Sequence, residues 1–241
     1  GIYIHIPFCL KACHYCDFHF STSFKTKNEI IYCINKELGL RKKILKKEKI
    51  NTIYFGGGTP SILKIEELRS ILNSVYKHFS IIKSPEITLE ANPNDLTREK
   101  IKKLISIGIN RISLGGQSFN DKHLRILNRS HTAKETLNSI EIMQNEGLEN
   151  ISLDLMYGFP GLDNKDWSKN LMTAISLNIP HLSCYCLTVE KGTAFYHMVK
   201  TKKITIDEDR KIKSQFLMMR KILMSNNYKH YEISNFSKPN Y

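Results

Sequence analysis

The sequence predicts an α/β fold, a partial (β/α)6 barrel of parallel strands with outer helices. Two observations lead to it. Short β-like runs alternate with longer stretches of helical periodicity, and no low-complexity linker divides them, as expected of successive βα units joined by right-handed crossovers. Such units could also build a doubly wound sheet. The second observation favours the barrel: nearly every chemically suggestive residue falls at or just after a strand end, and a parallel barrel gathers its strand C-termini on one rim.

The elements follow in order. The first strand is read at Ile2 to Ile6, ahead of a cysteine-bearing loop and a helix beginning near Thr26. A strand at Thr52 to Phe55 leads through glycines into the clearest helix, Ile65 to Phe79, where Ile65, Leu68, Ile71, Leu72, Val75 and Phe79 make one apolar stripe. Strands at Glu86 to Glu90, Arg111 to Leu114, Ile151 to Asp154 and His181 to Leu187 complete the set. Further helices start near Thr97, Thr132, Asp163 and Asp207, where a Thr or Asp is placed as an N-cap.

With 241 residues and 41% apolar content, the chain is long enough to bury a substantial core. It opens directly on a strand, without a charged leader or cleavage site, and holds no apolar run of the ~20 residues that span a bilayer. A cytoplasmic protein without a membrane span is expected. The six cysteines, three of them clustered, suit metal ligation in a reduced compartment. The formal charge of +13 is spread along the chain as lysine on outer helix faces, so it reads as a solvated surface and not as a nucleic-acid site. The basic run from Arg41 to Lys47 falls at a helix C-terminus, where cations complement the macrodipole.

Cys9-x3-Cys13-x2-Cys16 sits on the loop after the first strand, beside Phe8, Tyr15 and Phe18. A cubane [4Fe-4S] cluster ordinarily takes four thiolates, so three leave one iron open to an exchangeable ligand. The alternative is structural zinc, with His14 or His19 as the fourth ligand; zinc modules, however, usually pair two knuckles across an intervening segment. Gly56-Gly57-Gly58 lets the backbone approach a ligand closely, although a tight turn into the next helix explains it equally well. Glu90 would face the rim and accept hydrogen bonds from ribose hydroxyls or an ammonium, or else lie on the surface. Cys33 reads as an inert thiol in an apolar helical stripe, and His5 as a packed, hydrogen-bonded histidine. Cys184 and Cys186 share a strand face and are left out of the site.

Tyr3-Ile4-His5-Ile6-Pro7-Phe8-Cys9, the cysteine triplet, Phe55-Gly56-Gly57-Gly58-Thr59-Pro60, Glu90-Ala91-Asn92-Pro93, Gly116-Gln117-Ser118-Phe119 and Asp154-Leu155-Met156-Tyr157-Gly158-Phe159-Pro160 resemble, in order and spacing, the oxygen-independent coproporphyrinogen oxidase-like radical-SAM family. The resemblance covers essentially the whole chain. It implies a radical-SAM barrel in which Cys9, Cys13 and Cys16 bind a [4Fe-4S] cluster, with S-adenosylmethionine (SAM) on the open iron, reductively cleaved to methionine and a 5′-deoxyadenosyl radical. It further implies that Gly57, Gly58 and Thr59 contact the methionine moiety of SAM, with Tyr3 and Tyr15 packed against it. Gln117, Arg129 and Asp154 correspond to residues that contact a second SAM in the coproporphyrinogen enzyme, and Thr188 follows the sixth strand. On the residues alone, Arg129 could instead pair with a surface carboxylate, and Asp154 could cap the next helix.

Asp17-Phe18 follows Cys16, where the coproporphyrinogen dehydrogenase carries a further cysteine in place of Phe18. That departure resembles the heme-chaperone branch, and it implies heme as a ligand, a heme-acceptor protein as partner and a reductant such as flavodoxin or ferredoxin. Oxidative decarboxylation of coproporphyrinogen III is the alternative; its substrate's carboxylates would want arginines at the rim, and the core offers few. A basic RNA-binding module with structural zinc would need stacking platforms and clustered cations, which the sequence does not display. Tyr231 to Phe236 resembles a segment that continues into a further domain, so the expected division is a core over 1–190 and a helical and strand extension over 191–241 leading into a C-terminal domain.

Overall fold

The structure, a computed structural model, describes residues 1–45, 48–206 and 208–241. Six parallel strands lie side by side in chain order: β1 (Ile2–Ile6), β2 (Lys49–Gly57), β3 (Ser80–Ala91), β4 (Arg111–Gln117), β5 (Ile151–Tyr157) and β6 (His181–Cys186). Between and after them run α1 (Lys27–Arg41), α2 (Ile65–His78), α3 (Arg98–Ser106), α4 (Asp121–Ile126), α5 (Ala133–Asn145), α6 (Asn164–Ser176), α7 (Ala194–Lys200) and α8 (Asp209–Ser225). The fold is the expected α/β one with a parallel sheet and flanking helices. Lys46 and Lys47, which end the basic run, and Asp207, near the expected start of the last helix, lie outside the described residues.

Strand alternation sorts the side chains into two faces. In register, Phe55, Leu89, Ile112 and Ile151 form one apolar row, all fully buried. One residue along, Glu90, Ser113, Ser152 and His181 form a polar row on the opposite face. The apolar rows meet the helices. α2 contributes Ile65, Leu68, Ile71, Leu72 and Val75 to that layer, while Phe79 stands just past its end. Thr97, Thr132 and Asp163 cap α3, α5 and α6 by accepting the backbone N–H of Lys100, Glu135 and Asp166. Thr26 precedes α1 without a capping hydrogen bond.

Three features differ from the sequence reading. The strands run further: β2 takes in Gly56 and Gly57, paired with His5 and Ile6 of β1, and β5, paired on both sides, carries Asp154 in its middle, because pairing holds the ladder past the point where local propensity would end it. Two short strands, β7 (Lys229–His230) and β8 (Asn235–Ser237), add antiparallel to the sheet, β8 against β6. Cys33 is exposed, not buried, since Ile31, Ile34 and Leu38 turn another side of α1 inward. Leu153, fully buried at the centre of β5, tests the apolar layer: Leu153→Ala should cost about 2–5 kcal/mol, read from the denaturant midpoint of the metal-free chain.

Candidate functional site

The loop after β1 carries the three clustered cysteines and is closed at its base by a short pairing of Phe8 with Ser21. Cys9 N–H donates to the Ser21 carbonyl at 3.0 Å, and the buried Phe8 ring stacks on Phe24. The far side of the loop is held by the segment after α4. His14 N–H donates to the Leu127 carbonyl at 3.2 Å, the His14 ring hydrogen-bonds the Ile126 carbonyl at 2.9 Å, and Asn128 Nδ2 donates to the Ala12 carbonyl at 2.7 Å. A loop of this length thus gains a defined path from partners far along the chain.

Above the C-terminal ends of the parallel strands lies a cavity of about 410 Å³. Cys9, Cys13 and Cys16 line one wall, with Tyr15 beside them. Gly57, Gly58, Thr59, Glu90, Gln117 and Arg129 line the cavity as well, Thr59 and Arg129 in contact with the cysteines, and Asp154 and Thr188 complete the lining from β5 and the segment after β6. Tyr3 stays outside. It is exposed on β1, its hydroxyl 3.1 Å from His5 Nδ1 and its ring stacked on Tyr54, so it lies behind the site, against two residues that touch Glu90 and Gly57. Among the described residues no three His, Cys, Asp or Glu side chains converge on a single point.

The glycines have steric reasons. Gly57 has φ +117°, and a Cβ there would lie 2.7 Å from the His5 ring. A Cβ on Gly58 would stand 2.7 Å from the Phe8 carbonyl and 3.0 Å from Cys9 Sγ, so the glycine run and the cysteine loop can only approach this closely without side chains. His5 is hydrogen-bonded as expected, its Nε2 lying 3.1 Å from the His19 carbonyl.

Glu90 accepts from the Tyr54 hydroxyl at 2.9 Å and from Gly57 N–H at 3.1 Å, so it is part of the wall and not a surface residue. Burial raises its pKa against those two hydrogen bonds. Asp154 lies on β5 and caps no helix. Burial, then the nearby Glu90 carboxylate, pushes its pKa up to about 7. Burial also pushes the Cys16 thiol up to about 11, and raises Cys9. Among the described residues Arg129 pairs with no surface carboxylate. It donates to Cys13 Sγ and to the Tyr15 hydroxyl, each at 3.3 Å, to the Gly115 carbonyl at 2.8 Å and to Asn92 Oδ1. Gln117, at φ +63°, lines the cavity with a buried side chain whose Oε1 has no hydrogen-bond partner among the described residues.

Asn92, Tyr54 and Ser113 were not singled out from sequence as site residues. All three carry side chains that hydrogen-bond the wall. Their strand-end positions were the available signal. Cys186 also reaches the cavity wall, whereas Cys184 is buried and its thiol is raised by burial.

A profile of the radical SAM superfamily matches residues 3–172, from β1 into α6. The chain belongs to the radical SAM superfamily. Among curated relatives of this radical SAM chain, the heme chaperone HemW of Buchnera aphidicola subsp. Acyrthosiphon pisum (strain APS) is 39% identical, the match covering 100% of this chain and 63% of that protein. HemW of Lactococcus lactis subsp. lactis (strain IL1403) is 35% identical over 99% of this chain and 62% of its own length. The chain thus spans somewhat less than two thirds of these relatives. The radical SAM enzyme coproporphyrinogen III oxidase (HemN) from Escherichia coli superposes with a TM-score of 0.89 at 21% identity, covering 100% of this chain and 56% of that one, a likeness of fold. Radical SAM membership implies a [4Fe-4S] cluster and SAM. The cavity fits them: three thiols share one wall, the Gly58 backbone passes without a side chain, and the buried Gln117 Oε1 still needs a donor.

Asp154 generates a pH prediction. Its folded pKa lies above the unfolded value, so the unfolded chain releases this proton first, and stability falls as pH rises from about 4 to about 7 and then levels. Asp154→Asn should remove this component, so that the variant gains on wild type across that interval. Urea midpoints of the metal-free proteins at several pH values check it; parallel curves would place the titration elsewhere.

Proposed function

We propose that Cys9, Cys13 and Cys16 hold a [4Fe-4S] cluster and that this chain is the SAM-binding core of a heme chaperone, which binds heme and passes it to an acceptor protein. The observation that carries the cofactor reading is that the three cysteines, the Gly57–Thr59 run, Glu90 and Gln117 all line one cavity. When bound, the cluster and SAM supply one-electron chemistry, the reductive cleavage of the sulfonium, with a flavodoxin or ferredoxin as reductant.

The chain's own residues do the holding. Gly57, Gly58 and Thr59 line the cavity where the methionine end of SAM would lie, while Glu90, already positioned by Tyr54 and Gly57, offers carboxylate oxygens to hydroxyls or an ammonium. Tyr15, Gln117, Arg129, Asp154 and Thr188 complete the enclosure. Tyr3 supports it from behind through Tyr54. On this reading residues 1–190 carry the site and 191–241 form the extension, whose β8 pairs with β6. The chaperone reading is supported by the HemW relatives, which match this chain along its length, and by Phe18 on the cavity rim where the dehydrogenase has cysteine. No described helix is long and apolar enough to cross a membrane.

Anaerobic reconstitution tests the cofactor reading: the wild type should take up about four irons and four sulfides per chain, and Cys9→Ala, Cys13→Ala or Cys16→Ala should abolish this. Zinc bound equally by wild type and Cys13→Ala would sink it. For the chaperone reading, heme titrated into the full-length protein should shift the Soret absorbance, while anaerobic coproporphyrinogen with excess SAM stays unconverted. Robust conversion would restore the decarboxylase.

A further inference from the structure

Two of the three clustered thiols receive a hydrogen bond from a residue outside their own loop: Thr59 Oγ1 donates to Cys9 Sγ at 3.4 Å, and Arg129 Nη1 donates to Cys13 Sγ at 3.3 Å. One side chain touches both donors. Asn92 Nδ2 lies 3.3 Å from Thr59 Oγ1, and Asn92 Oδ1 faces Arg129 Nη2. We propose that Asn92 is a positioning residue of the cluster site, whose amide aims the Thr59 hydroxyl at Cys9 and seats the Arg129 guanidinium beside Cys13. The assignment rests on the reading that these cysteines hold a cluster.

The direction of every hydrogen bond follows from donor inventory. A guanidinium has no acceptor, so the Asn92 atom facing Arg129 must be the carbonyl oxygen. The amide NH2 is thereby turned toward Thr59 and donates to its hydroxyl oxygen. That hydroxyl has a single proton, which is left free to point at the Cys9 sulfur. Arg129 thus sets the amide, and the amide sets the threonine. The backbone from which the amide projects is anchored, because the Asn92 N–H donates to Ser61 Oγ at 3.2 Å and Ser61 in turn donates to Asp95 at 2.6 Å. Arg129 is likewise held by the Gly115 carbonyl and the Tyr15 hydroxyl.

Hydrogen bonds to cluster sulfurs stabilise the more negative, reduced cluster and so raise its potential, and residues that orient such partners matter nearly as much as the ligands. Asn92→Leu leaves the Thr59 hydroxyl free to turn away and removes one anchor of Arg129. The expected results are a more negative cluster potential in an anaerobic redox titration and about 10-fold faster iron loss to a chelator. Thr59→Val should also lower the potential. Since Asn92 acts partly through Thr59, the double variant should shift by less than the sum of the two.

Asn92→Asp is the second variant, should the leucine prevent cluster uptake. It keeps the oxygen facing Arg129 but replaces the donor, drawing the Thr59 proton off Cys9, so its lowering of the potential should shrink in the Thr59→Val background. Asn94→Ala, two residues along, should leave the potential unmoved. Wild-type potential in Asn92→Leu with a full cluster, or shifts that add fully in the double variant, would overturn the proposal. These outcomes are distinct from a wild type that takes up no cluster, which would instead defeat the cofactor reading.

Discussion

The site depends on one constraint, that six neighbouring strands run in the same direction. In a parallel sheet every strand delivers its C-terminal end to the same rim, so residues as distant in sequence as Cys13 and Arg129 come within hydrogen-bonding distance. The register then decides which side chains share a face. Glu90, Ser113, Ser152 and His181 stand in one row because β3 to β6 pair without a shift at that level. The apolar row beside them buries against the helices, and this burial supplies the stability that lets the opposite face be polar.

That polar face is expensive to build, and the structure meets the cost with hydrogen bonds. Ser152 and Tyr231 satisfy both ring nitrogens of His181, each at 2.7 Å, and Tyr54 and Gly57 satisfy Glu90. Among the described residues, unpartnered buried atoms occur at the cavity, on Gln117 and Arg129, and also away from it, on Asn35, His131, Asn164 and Arg220. Gln117 Oε1 has no partner among the described residues, and Asp154, with Ser113 at 3.5 Å as its hydrogen-bond partner, holds its proton to about neutral pH.

The cysteine loop shows how far local signals reach. The spacing Cys9-x3-Cys13-x2-Cys16 was legible as a cluster nest, and the glycine run beside it as a close-approach segment. The reason for those glycines was not. Gly58 is required by the backbone of Phe8 and the sulfur of Cys9, some fifty positions earlier, and Gly57 by the His5 ring. Cys33 marks the opposite case, a residue assigned to an apolar stripe that the helix in fact turns outward. The apolar residues of α1, Ile30, Ile31, Ile34, Leu38 and Leu40, are spread around the helix, so its inward face was settled by packing against α2.

By itself the sequence determined the alternation of strands and helices, the caps at Thr97, Thr132 and Asp163, and the placement of chemically active residues near strand ends. These are read from periodicity and turn chemistry, which act within a strand or a helical turn. Only the tertiary structure decided that β8 joins β6, that Tyr3 stands behind the cavity and not in it, and that Asn92 links Thr59 to Arg129. Such partners are chosen by strand order and loop packing. No local pattern encodes them, because the atoms that satisfy a buried donor are supplied by whichever segment the sheet brings alongside.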